Sequence, residues 1–121
     1  ASDLALYGIE CRVVSMHTIK PLDKAEVESA TLDTGGIITI EENNILGGMG
    51  GAASEFCLEN GLSPGFFHRI GLNDTFPDRT GSQQYLRKRY GMDCKAITEK
   101  VLELVKERES CSYNHDSVEN A

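Results

Sequence analysis

The residues with the most chemical potential in this chain are Glu41 and Glu42, the glycine run Gly47-Gly48-Met49-Gly50-Gly51 just after them, and His17 with Lys20 nearer the start. A pair of carboxylates can divide general acid and general base work between them when their surroundings separate their pKa values. Consecutive backbone N–H groups at the start of a helix make a cradle for phosphate. A histidine and a lysine three residues apart, at the carboxyl edge of a sheet, would form a small electropositive cluster where α/β folds collect ligands. Each feature also has a plainer reading. Side chains alternate along a strand, so Glu41 and Glu42 leave it on opposite faces and rarely share one substrate; one caps a backbone or pairs with a base. No lysine of the Gly-Lys-Ser/Thr type follows the glycines, and a phosphate there would meet two uncompensated carboxylates. Glycines equally let a helix dock closely on a sheet. His17 reads equally as a solvated or packed side chain, His68 lies inside a strand, and His115 falls near the end of the chain. His17, Lys20, Glu41, Glu42, Gly47, Gly48 and Gly50 are therefore the candidate anion or interface site. No catalytic, cofactor or metal ligand is assigned, and no nucleophile elbow, metal quartet or acid/base dyad favours an independent hydrolase.

The elements that must position these residues follow from local pattern. Residues 3–7 followed by Gly8 read as the last turns of a helix, and a chain that opens in mid-helix reads as a piece of something longer. Residues 11–16 form a short strand, and Pro21 bars helix until beyond it. Asp23 with Glu26 is a capping box opening a helix over residues 24–32. Gly35-Gly36 releases the β-branched strand 37–40, whose apolar run predicts cover on both faces. A helix with Ala52, Ala53, Phe56 and Cys57 on one face ends at Asn60-Gly61. A third strand covers 66–70, a long polar loop 73–81, a short helix 82–90, and Asp93 caps a last helix with Ile97, Val101, Leu104 and Val105 as its buried stripe. The order predicts a mostly parallel sheet in a three-layer α/β/α sandwich over residues 1–106. Residues 107–121 have neither periodicity nor apolar content and read as a disordered tail.

Composition narrows the partners. The chain has 121 residues, 12 basic against 19 acidic, for a net charge of -7. That charge works against nucleic acid or anionic membrane, since phosphate binding rests on Lys and Arg. The run Arg87-Lys88-Arg89 reads as a solvated helix face. Four cysteines, widely spaced without a Cys-x-x-Cys pair, fit buried thiols in a reducing compartment. With no signal-peptide pattern and no bilayer-length apolar run, the expected location is the cytoplasm.

Three ordered motifs carry a resemblance. They are Arg12-Val13-Val14-Ser15-Met16-His17-Thr18-Ile19-Lys20-Pro21-Leu22-Asp23, Ile37-Ile38-Thr39-Ile40-Glu41-Glu42-Asn43, and Gly47-Gly48-Met49-Gly50. Arg69-Ile70-Gly71-Leu72-Asn73-Asp74 and Tyr90-Gly91-Met92-Asp93 follow the same pattern. Over residues 1–106 the chain resembles the C-terminal domain of the transketolase family, which includes transketolase, deoxyxylulose-5-phosphate synthase and the β subunits of 2-oxo-acid dehydrogenases. It looks most like transketolase itself, especially the split kind in which this domain belongs to a C-terminal subunit, with deoxyxylulose-phosphate synthase next. The resemblance implies a parent transferase of the pentose phosphate pathway that moves a two-carbon ketol unit between sugar phosphates. It implies thiamine diphosphate and a divalent metal held between two preceding domains across a dimer interface, none of it in this chain. The C-terminal domain would then supply dimer contacts and packing and be inactive alone, its partners being the remaining domains or subunit of a homodimer. The alternatives are a free-standing regulatory module binding a small anion or sugar phosphate, and a fragment of deoxyxylulose-phosphate synthase. The chain departs from the family in one respect: an N-terminal strand that normally lies between those at 11–16 and 36–41 is missing. Either those two strands pair directly, another chain supplies the missing one, or the fragment is marginally stable.

Overall fold

A computed structural model describes residues 1–72 and 82–119, and the side chains as far as residue 111. The polar loop expected at 73–81 lies outside the described residues. The elements are α1 (Ser2–Ala5), α2 (Lys24–Asp33), β1 (Ile37–Asn44), α3 (Met49–Glu59), β2 (Phe67–Leu72), α4 (Gln83–Arg89) and α5 (Cys94–Glu119).

Short polar side chains set the helix starts. Asp23 accepts the N–H of Glu26 at 3.1 Å, Ser82 that of Tyr85 at 3.3 Å, and Asp93 that of Ala96 at 3.1 Å. Each satisfies a donor that the first helical turn leaves without an internal partner. Gly91, with φ of 68°, takes the left-handed conformation just beyond α4, which a side chain would disfavour.

β1 and β2 pair in parallel, with Ile37 opposite Phe67 and Ile40 opposite Ile70. The register then breaks, and the next pair is Asn44 with Leu72. β1 thus spends four residues where β2 spends two, a bulge that re-aims the side chains it contains. Gly71 makes room for it: a Cβ there would lie 2.6 Å from Ile45 Cγ2 and 3.0 Å from the carbonyl oxygen of Asn43. The residues in the bulge include Glu41 and Glu42.

One face of the sheet carries α3, and α2 packs on α3 in turn. Val27, Ala53 and Cys57 are the buried centre there, with Met16, Leu22, Phe56, Leu62 and Phe67 around them. Since Phe67 joins that cluster, the next residue along the strand, His68, points to the other face. There α5 brings Lys100 near His68, and burial together with that ammonium holds the imidazole pKa below its ordinary value. Thus helices lie on both faces of a parallel sheet.

Three features differ from the sequence-based expectation. Residues 11–16 form no strand. Strand structure exists only through a ladder with a neighbour, and the edge of β1 nearest them faces a cleft instead of a backbone partner, so the two segments do not pair directly. The second difference is Ile40, 47% exposed although it lies within the run expected to be covered on both faces. Its exposure has the same cause, since it lines that cleft. The third is α5, whose helical backbone continues to Glu119 past the apolar stripe that ends at Val105. Glu107, Arg108 and Glu109 are good helix formers, so propensity carries the backbone where amphipathic packing stops.

Candidate functional site

The bulge in β1 delivers its two carboxylates to different neighbours. Glu41 turns under the start of α3, where Oε1 accepts the N–H of Met49 at 2.6 Å and Oε2 accepts the N–H of Gly50 at 3.0 Å. Those are two of the donors that a helix start leaves open, and the negative charge sits at the positive end of the helix dipole. The glycine cradle is real, and its anion is a side chain of the same protein.

The glycines are shaped to that arrangement. A Cβ on Gly48 would fall 2.3 Å from Glu41 Oε1. On Gly50 it would fall 2.4 Å from Thr39 Oγ1 and 3.0 Å from the stem of Arg69. Gly50 therefore lets α3 rest directly on β1 and β2, and Arg69 runs past it to donate from Nη1 to the carbonyl of Ile45 at 3.1 Å. Gly47, at φ of 72°, has open space around it and serves the turn alone.

Glu42 faces the other way, toward α4. Arg87 Nε donates to its Oε1 at 2.6 Å, and Gln83 Nε2 donates to its Oε2 at 3.0 Å. A second guanidinium nitrogen of Arg87 completes the ion pair. The Arg87 hydrogen bond first, then that of Gln83, holds the Glu42 carboxyl below the usual glutamate range. Arg87, Gln83, Thr39 and Arg69 were not singled out as site residues from the sequence. Gln83 and Arg87 lie more than 40 residues from Glu42, so no local spacing marks them, and only the basic run Arg87-Lys88-Arg89 gave any signal.

His17 and Lys20 are exposed on the segment leading to α2. Neither makes a hydrogen bond or ion pair with Glu41, Glu42 or the glycine loop. The seven candidates thus separate into a joined group, Glu41 with Gly48 and Gly50, a second joined group at Glu42, Gly47 serving the turn alone, and the exposed His17 and Lys20 apart from all of these.

The arrangement suits positioning more than catalysis. Glu41 gives both oxygens to backbone donors, and Glu42, half exposed, is held by Arg87 and Gln83. Among the described residues no three His, Cys, Asp or Glu side chains come together as a metal site, and no helix is long and apolar enough to cross a membrane.

Comparison with known proteins fits the same outline. The family described as transketolase, C-terminal domain, matches residues 1–97. A protein of Methanocaldococcus jannaschii, provisionally described as a transketolase C-terminal section, is 39% identical over 99 residues, covering 82% of this chain and 30% of its own length. A 6-deoxy-6-sulfo-D-fructose transketolase subunit of Clostridium sp. is 36% identical, covering 80% of this chain and 29% of that protein. A 1-deoxy-D-xylulose-5-phosphate synthase of Geobacter metallireducens is 38% identical over 88% of this chain and 17% of its own. Among solved structures, a split-gene transketolase described as an inactive β4 tetramer superposes with a TM-score of 0.75 at 31% identity, over 88% of this chain and 34% of that one. The chain thus spans less than a third of the length of these curated relatives. With its parallel sheet between helices and a glycine loop closed by Glu41, the chain belongs to the transketolase C-terminal domain family.

Proposed function

We propose that the chain is the C-terminal domain of a thiamine-diphosphate-dependent, transketolase-like enzyme whose whole assembly moves a two-carbon ketol unit between sugar phosphates. Its own part is packing and dimer contacts in a cytoplasmic homodimer of the pentose phosphate pathway, without chemistry when isolated. The observation that carries this reading is Glu41, whose carboxylate occupies the helix N-terminus that a phosphate would otherwise use.

The residues present do not fit the cofactor. A diphosphate at the start of α3 would meet the Glu41 carboxylate with Glu42 next to it in sequence, and like charges at that range repel. When bound in the parent, thiamine diphosphate supplies the carbanion chemistry; no step of it is derived from the residues of this chain. The similar split-gene chain, described as an inactive assembly, supports a C-terminal section that self-associates without activity.

The test is a ketol-transfer assay with a ketose phosphate donor, an aldose phosphate acceptor, thiamine diphosphate and magnesium. The isolated chain is expected to give no turnover, and to co-elute on gel filtration with a section carrying the two preceding domains of a transketolase. Ketol transfer by the 121 residues alone would overturn the proposal. A second reading, the equivalent domain of a deoxyxylulose-phosphate synthase, is favoured by the 38% identity over 106 residues. Replacing that domain in such a synthase with this chain separates the two, since only the second reading expects restored synthase activity. The free-standing anion module has less behind it, because His17 and Lys20 do not join the glycine loop.

A further inference from the structure

Beyond Val105 the helix α5 continues without burying a side chain, and residues 106–111 are all exposed. A helical stretch that short is marginal in water when nothing packs against it. One side chain reaches back to the body. The guanidinium of Arg108 lies over the turns that precede β1 and β2, and two glycines make the room for it. A Cβ on Gly35 would fall 2.2 Å from Arg108 Nη1 and 3.4 Å from its Cζ, and would meet no other group within 4 Å apart from its chain neighbours. A Cβ on Gly65 would fall 2.7 Å from Arg108 Nε and 2.9 Å from Cζ, with the carbonyl oxygen of Gly35 2.3 Å away.

Backbone conformation does not ask for glycine at either place. The glycines with positive φ are Gly8, Gly47, Gly61 and Gly91, so Gly35 and Gly65 lack a side chain for the sake of space and not of φ. Arg108 fills that space. Among the described residues its guanidinium makes no hydrogen bond or ion pair, and what holds it is close fit against backbone. The seat stands where the sheet begins. Ile37, two residues after Gly35, donates its N–H to the carbonyl of Phe66, the residue after Gly65, at 2.9 Å. Arg108 thus touches both chain segments just before their pairing starts.

We propose that residues 106–111 form a strap across the start of the β1–β2 ladder, fastened by Arg108 in a seat made by Gly35 and Gly65, and that this strap opens and closes as a unit while the earlier part of α5 stays docked. Local opening of this kind belongs to segments with few buried contacts. The strap has one point of attachment, whereas the preceding turns are anchored by the buried Val101. Losing Arg108 from its seat therefore frees the whole strap at once.

The test is amide hydrogen exchange, followed by residue in the full 121-residue chain, for Arg108→Ala, Gly35→Ala and the two combined. Each single substitution is expected to speed exchange at Glu109, Ser110 and Cys111 about tenfold, the first by removing the guanidinium and the second by filling its seat. Alanine is a better helix former than arginine, so an idle Arg108 side chain would give unchanged or slower exchange when replaced. The double variant should be no faster than either single one, since both act on one contact. The amides of Ile37, Val101 and Leu104 should keep their rates in all three variants, which shows the sheet and the docked part of α5 intact. Unchanged exchange at 109–111 in either single variant overturns the proposal, as do purely additive effects in the double variant. Acceleration that spreads to Val101 and Leu104 also overturns it, because the strap would then not open by itself. Failure here leaves the ketol-transfer proposal standing, because the two experiments read different properties.

Discussion

Glu41 is a carboxylate in a place where anions bind, and its value to the protein lies in filling that place itself. Two charge-assisted bonds to backbone donors at a helix start stabilise by about 1–2 kcal/mol. Glu41→Ala is expected to lower stability by about that much in urea unfolding. Gly48→Ala alone should also destabilise, because its Cβ would displace the carboxylate. With Glu41 already removed the same change should cost much less, so the two are expected to be strongly non-additive in a double-mutant cycle. Purely additive costs would mean that Gly48 serves only the turn. Glu42 makes a separate prediction through pH. Its folded pKa is depressed by Arg87 and Gln83. Its contribution is therefore present above the ordinary glutamate pKa and is lost as pH falls through the lower folded value. Carbon-13 titration of the Glu42 carboxyl should find it below the ordinary glutamate value, and Arg87→Ala should raise it. That the two glutamates serve opposite faces was legible from the alternation of a strand. Which groups they meet was not, because Arg87 and Gln83 come from an element more than 40 residues away.

At the level of elements, local signals located the helices well. Asp23 and Asp93 cap the helices that their positions indicated, Ser82 caps the short helix expected to begin at it, and Gly61 and Gly91 follow the ends of theirs. The β-rich stretches were harder, because a strand depends on a neighbour that its own residues do not contain. Residues 11–16 have strand composition, yet form no strand beside the cleft. Likewise Gly71 reads as an ordinary strand glycine until the bulge in β1 is seen pressing against it. The contact between α3 and the sheet is the tightest of these junctions. Thr39 is buried, its short side chain cannot swing aside, and its Oγ1 would lie 2.4 Å from a Cβ on Gly50. Gly50→Ala is accordingly expected to destabilise by about 1–3 kcal/mol through overpacking, despite the better helix propensity of alanine. Thermal unfolding checks it, and an unchanged or raised midpoint would show that α3 does not rest on β1 there.

For the whole molecule, the family was legible from three motifs in order, while the role of their most conspicuous residues was not. Carboxylates and glycines that look like chemistry in one dimension turn out to satisfy one another in three. His17 and Lys20 lie elsewhere on the surface. The glycine loop is thus an architectural junction already closed by Glu41. Nitrogen-15 NMR of the isolated chain during titration with thiamine diphosphate and magnesium, and then with a sugar phosphate, tests this most directly. The amides of Met49 and Gly50 are expected to hold their positions throughout, because the Glu41 carboxylate occupies their hydrogen bonds. Saturable shifts at those two amides, lost in Gly48→Ala, would contradict it and return the loop to the status of a ligand site.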